Sequence, residues 1–150
     1  MNLKDEVRQL ILKSKTANFA PYGHGTTDDW IKKAEKKLGI KLPPTYVWWL
    51  KNYGGGEING EEIYSIYEIE DFQGGGDITY MRDVNLENEA GNANQLFISE
   101  PGQGESYYFC LNKQGEDGEM PVFVYDYANN AHSFYAGTFL EFLKKRLLTS

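Results

Sequence analysis

Thr26 to Tyr64 read TTDDWIKKAEKKLGIKLPPTYVWWLKNYGGGEINGEEIY, and the order of breaks in this stretch decides the fold. Thr26 followed by Asp29 has the form of a capping box that opens a helix. Trp30, Ile31, Ala34 and Leu38 then recur at helical spacing, and Gly39 ends the run. Proline pushes the residue before it out of helical backbone, so Leu42-Pro43-Pro44 parts this helix from the next. Pro44 suits a first helical position, where its missing N–H is not needed. Tyr46, Trp49, Leu50 and Tyr53 share one face of the second helix, and Gly54 stops it. Asn59-Gly60 is a two-residue hairpin signal. Trp30, Leu38, Leu42, Tyr46, Trp49 and Leu50 are the expected core of this unit. Trp48 lies off the inward face, as an exposed anchor or packed on a neighbouring helix.

Outward from this stretch, Leu3, Val7, Leu10 and Ile11 fit one face of a first helix, and residues 15–25 read as a loop. Glu61 to Ile69 is strand-like, Gly74-Gly75-Gly76 breaks the pattern, and a short helix is expected within Met81 to Ala93. Three strands follow at Gln95–Ser99, Ser106–Leu111 and Val122–Tyr127. A fourth, His132–Tyr135, comes after the turn residues Asn129-Asn130. Their short, turn-bounded spacing predicts an antiparallel meander. Thr138 and Glu141 form a capping box for a last helix, whose Lys144-Lys145-Arg146 cluster suits its C-terminal dipole. The expected class is α+β, with one antiparallel sheet flanked by N-terminal helices and a C-terminal helix in a single domain over 1–150.

Trp30, Glu35, Leu38, Gly39, Leu42, Pro43, Tyr46, Leu50, Gly54 and Gly55 together resemble the signature of the SUKH superfamily. The resemblance continues downstream through LFISE, a turn at Gly102 and Gly104, SYYFCLN, PVFVYD and the final TFLEFLKKRLL, so it covers roughly 26–148. It implies one compact domain. In bacteria such domains mostly look like immunity proteins that bind and neutralise a partner toxin, and relatives elsewhere act as regulatory binding modules.

The net charge of −7 is unevenly spread. Residues 1–51 carry 10 basic and 5 acidic side chains, residues 52–143 carry 2 and 17, and the last seven carry three basic ones. A central stretch this poor in cations projects a negative field that repels nucleic acid and anionic membranes and draws basic partners. No stretch approaches the ~20 apolar residues of a membrane helix, and the N-terminus lacks a signal peptide's apolar run. One cysteine, Cys110, excludes an intramolecular disulfide. These features favour a cytoplasmic protein.

Chemical motifs are sparse. Cys110 with His132 and Asp126 could be imagined as a nucleophile with its base, but nothing flanking them supports it, and a strand cysteine between Phe109 and Leu111 is expected to be buried and unreactive. His24 and His132 are the only histidines, with no zinc-like spacing. Gly102-Gln103-Gly104 leads into a strand rather than a helix, so it offers no phosphate cradle. Asn112 to Glu119 lacks EF-hand spacing and reads as a solvated hairpin turn. No catalytic, cofactor or metal residues are therefore assigned.

The favoured reading is a non-enzymatic binding domain, an immunity protein for a basic toxin domain, with a nuclease among the candidates. A regulatory module of the same fold is the alternative and a small hydrolase the third. Charge and position nominate Glu57, Glu61, Glu62, Glu68, Glu70, Asp71 and Asp77, with Tyr64 and Tyr67 interleaved. A second group is Glu100, Glu105, Tyr107 and Tyr108. Acids would stand in for substrate phosphates, and neighbouring aromatics would supply desolvated anchors.

Overall fold

The computed structural model describes residues 1–101 and 104–149. The expected glycine turn at Gly102-Gln103 lies outside them. Five helices and seven strands follow one another as α1 (Leu3–Lys13), β1 (Ala17–Phe19), α2 (Asp28–Leu38), α3 (Pro44–Tyr53), β2 (Gly56–Ile58), β3 (Glu61–Ile63), α4 (Ile78–Glu87), β4 (Gln95–Ser99), β5 (Glu105–Cys110), β6 (Val122–Asp126), β7 (Ala131–Ala136) and α5 (Phe139–Leu148), counted among the described residues. The predicted α+β class holds, but the strands form two antiparallel sheets rather than one: β1-β2-β3 and the meander β4-β5-β6-β7.

The helix boundaries follow the breaks in the sequence. Gly39 and Gly54 close α2 and α3 in left-handed backbone, at φ 71° and 73°, a conformation glycine adopts without a steric penalty. Pro44 opens α3. The expected capping box at Thr26 is not formed. Helix α2 starts one residue later, and its N-cap Thr27 makes no side-chain cap bond. Thr27 instead donates its backbone N–H (3.3 Å) and hydroxyl (3.1 Å) to the Glu68 carboxylate, which draws the hydroxyl away from the helix. The second box forms in part: Thr138 accepts from the Glu141 N–H at 3.2 Å, while the Glu141 carboxylate accepts from the N–H of Gly137, one residue before the cap, at 3.1 Å.

Asn59 and Gly60, at φ 55° and 77°, make the hairpin between β2 and β3. Strand β1 falls inside the stretch expected to be loop. Its three residues, Ala17-Asn18-Phe19, are too few for their alternation to stand out and are held by pairing with Gly56–Ile58. The extended run from Glu61 leaves its sheet after Ile63, because the Tyr64 N–H turns to the Ile98 carbonyl (2.7 Å) and the Ser65 N–H to that of Gly76 (2.9 Å). This crossing places β3 beside β4 and joins the two sheets.

The core lies between the inner face of the meander and helices α3 and α5. Tyr46 meets Phe109 and Phe139 edge-on at 5.4 and 4.9 Å, and Tyr107 meets Phe142 at 5.2 Å. The Tyr46 hydroxyl is buried and donates to the Tyr64 carbonyl at 2.6 Å. Leu50 is fully buried, which stabilises by about 1.5–3 kcal/mol. Leu42, Tyr46 and Trp49 join it, whereas Trp30 and Leu38, also expected inside, are only half-buried. Trp30 sits where α2 rims a surface trough, and both side chains pack against the edge of the core. Trp48 is half-buried as well, packed beside Tyr22 and Tyr53.

Candidate functional site

The crossing of β3 to β4 gathers acids from distant parts of the chain. The Ser99 hydroxyl donates to the Glu62 carbonyl at 2.9 Å, so the end of β4 is tied to β3. Glu100 follows at once. One of its oxygens accepts from the Tyr64 hydroxyl (3.1 Å) and from the Asn85 side chain (2.8 Å). Burial first, and then Glu100 itself, push the Tyr64 hydroxyl far above its usual range, so Tyr64 stays a proton donor to this carboxylate. Glu105 begins β5 on the same end of the sheet, and the Tyr107 hydroxyl donates to it at 3.4 Å. Tyr67, pushed up to about 12 by burial and then by Glu62, donates to Glu62 at 2.7 Å. The two acidic groups nominated from sequence thus meet here in part: Glu57, Glu61, Glu62, Tyr64 and Tyr67 with Glu100, Glu105 and Tyr107.

Two pairs of acids stand directly opposite each other across neighbouring strands: Glu57 with Glu62, and Glu105 with Asp126. Like charges in this position weaken a sheet. The one cation paired at this end is Arg146, which donates to Glu61 at 2.7 Å and lies 5.2 Å over the Tyr107 ring. Among the described residues, Glu57, Glu62, Glu100, Glu105 and Asp126 take part in no ion pair.

Several nominated residues belong elsewhere. Tyr64, Tyr107 and Tyr108 are buried, at 7%, 2% and 4% exposure, so they support the fold instead of offering surface anchors. Tyr108 lies between Phe97 and Phe123 on the outer face of the meander, with its hydroxyl 2.8 Å from His132 Nδ1. Asp77 is also buried. Its carboxylate caps α4 by accepting from the Thr79 and Tyr80 N–H groups, and it accepts from the Tyr67 N–H as well. Glu68, Glu70 and Asp71 lie in a separate turn against α2, where Lys33 holds Glu70 at 2.7 Å. The sequence reading missed Asp126 and Tyr127. Tyr127 is 46% exposed and 2.9 Å from the Ser106 hydroxyl, which makes it an aromatic at this end that a partner can reach.

The imagined nucleophilic set is not assembled. Cys110 is half-buried, not buried, and its thiol donates to Asn112. Asp126 accepts from the Ala128 N–H and the Asn129 side chain, and His132 is engaged by Tyr108. Among the described residues no group of three or more His, Cys, Asp or Glu side chains could hold a metal ion, and no helix is long and apolar enough to cross a membrane. The acidic turn before β6 is not purely solvated either: Glu119 accepts from the N–H and hydroxyl of Thr45, at 3.0 and 2.9 Å, in the first turn of α3.

A family model described as SMI1-KNR4 cell-wall, of the SUKH group, matches residues 28–143. The chain belongs to the SUKH superfamily. The match runs from the first turn of α2 into α5 and includes the proline break, strands β2 to β7 and the acidic crossing. Helix α1 and strand β1 lie before it, although β1 completes the smaller sheet and α1 pairs with α5 through Glu6 and Lys144 at 2.7 Å. SUKH domains are known as immunity- and cell-wall-related, which suggests protein–protein interaction.

Proposed function

We propose that this SUKH domain is a non-enzymatic immunity protein that binds a basic toxin domain and covers its active surface. The supporting observation is the uncompensated acid where the sheets meet, above all the opposed pairs Glu57–Glu62 and Glu105–Asp126. Each pair weakens its own sheet, and a cationic partner would relieve both. On a nuclease, these carboxylates would occupy the places of substrate phosphates. The long-range field would speed encounter, and Tyr127 would supply an aromatic contact at the edge of the acidic cluster.

The test is co-expression with a candidate basic toxin domain from the same genome, combined with association kinetics of the purified pair. Growth rescue by the wild type is expected, with an on-rate that falls at least about tenfold between about 50 mM and 0.5 M salt. The double variant Glu62→Lys/Glu105→Lys should remain folded and lose rescue. Rescue that persists in that variant, with salt-independent association, would place the contact on another face.

A further inference from the structure

The strongest feature outside the acidic end is a trough of about 500 Å³ between α2 and the turn that precedes α4. Its floor is apolar, with Ala34 and Ile66 buried. Its walls are the half-buried rings of Trp30 and Phe72. Ile69 stands over it with 57% of its surface exposed. The rim is cationic. Lys33, Lys36 and Lys37 line one side, and Lys36 and Lys37 take part in no ion pair among the described residues. Against a net charge of −7, this is a local inversion of sign.

Glu70 shows what the rim accepts. Its carboxylate reaches across the mouth to Lys33 at 2.7 Å, with 51% and 73% of the two side chains exposed, and Lys33 and Lys37 together hold the Glu70 carboxyl below its ordinary range. An ion pair this exposed is weak and readily exchanged. Lys33 also lies 4.3 Å over the Trp30 ring. The rim lysine is thus positioned jointly by an aromatic wall and by a carboxylate that a ligand's own acid could replace. Asp77 also lines the trough, but its oxygens are turned to the N–H groups of Tyr67, Thr79 and Tyr80.

We propose that this trough is a second binding site that takes an acidic peptide segment of a partner protein. One apolar side chain of the segment would enter between Trp30, Ile66 and Phe72, while flanking carboxylates settle on Lys36, Lys37 and, in exchange with Glu70, on Lys33. A wide-mouthed trough with charges along one rim matches a peptide that lies across it. A fatty-acid anion would need an enclosed channel for its tail. The proposal stands apart from the acidic end of the sheets and does not depend on the immunity reading.

The probe is a fluorescein-labelled peptide with a Leu-Phe pair flanked on each side by three glutamates, followed by fluorescence polarisation. Saturable binding is expected, in the range of about 10–100 µM for so small a contact. Lys36→Glu with Lys37→Glu should weaken it at least about tenfold, as should the exposed change Ile69→Ser. Glu70→Gln should tighten it about two- to fivefold by removing the internal competitor. Glu105→Lys, at the acidic end of the sheets and outside the trough's lining, should leave it unchanged, and circular dichroism checks that each variant is folded. The proposal is overturned by absence of saturation at about 1 mM. It is equally overturned if a control peptide with Ser-Ser in place of Leu-Phe binds as well, or if decanoate displaces the peptide and binds more tightly.

Discussion

Glu57→Lys should stabilise the fold while slowing association with a basic partner. Glu57 faces Glu62 across β2 and β3, with Asn18 on its other side. Two carboxylates about 7 Å apart repel by about 0.6 kcal/mol in water and more near a protein surface, where the effective dielectric is lower. Measured cross-strand pairs of like charge fall in the same range, about 0.2–1 kcal/mol. A lysine at position 57 removes that repulsion and gives Glu62 an opposite charge, while leaving the Tyr67–Glu62 hydrogen bond intact. The combined gain is about 1 kcal/mol, which for a chain of this size raises Tm by about 2–4 °C. Thermal unfolding at low salt measures it. At about 1 M salt the screening length shrinks to about 3 Å, and the gain should vanish. An unchanged or lowered Tm at low salt would refute the reasoning, and so would a gain that survives high salt. The same substitution should cut the on-rate to the toxin, so stability and binding move in opposite directions.

Leu50→Ala, in the fully buried centre of α3, should cost about 2–5 kcal/mol in urea unfolding. Tyr46→Phe should cost about 1–3 kcal/mol, because the buried Tyr64 carbonyl loses the hydroxyl it accepts from; a neutral result would mean water replaces it. Burial raises the Glu119 carboxyl above its ordinary 4.5, against the opposing Thr45 N–H and hydroxyl. The stability contributed by its protonated form is therefore present below pH 4.5 and declines as pH rises through the raised value. Glu119→Gln should abolish that decline, so its Tm relative to wild type should rise between about pH 4 and about pH 7, and a flat difference would contradict the assigned cause. The half-buried Cys110 thiol should label with a thiol reagent in the native protein, and Cys110→Ser should leave partner binding intact; loss of binding on that change would restore a role for the thiol.

The fold was legible where local chemistry and tertiary packing agree. Gly39, Pro44, Gly54 and the Asn59-Gly60 pair each impose a backbone state that the surroundings have no reason to resist, and the elements they bound lie where the sequence puts them. Strand β1 was not legible, since three residues are too short a run for their alternation to signal a strand, and it forms where Gly56–Ile58 lies beside it. Asp77 as the cap of α4 was hidden for a different reason: the glycines before it read as a break, which drew it into a list of surface acids. The opposed acids at positions 105 and 126 depend on the register across the long connection between β5 and β6, and no local signal fixes that register. Tyr107 and Tyr108 were read as anchors because an alternating strand does not reveal which face a helix will cover. Here α5 covers Tyr107, and the strands flanking β5 flank Tyr108 with Phe97 and Phe123.

The two charged surfaces follow from how the chain is built. A chain that crosses from β3 to β4 brings one end of both sheets together, and there it gathers the acids at positions 57, 61, 62, 100, 105 and 126. A rigid aromatic core beneath them, from Tyr46 through Phe109 to Phe139, keeps the opposed acids from relaxing apart. Their repulsion therefore remains available to a partner that neutralises it, instead of being dissipated by local movement. Helix α2 is different. It packs on one side only, so its lysines and the half-buried Trp30 rim a trough. A basic toxin meeting the acidic end would be steered away from that trough by like charge, whereas an acidic segment would be steered toward it. The same asymmetry of charge along the chain therefore separates two partners in space without a second domain.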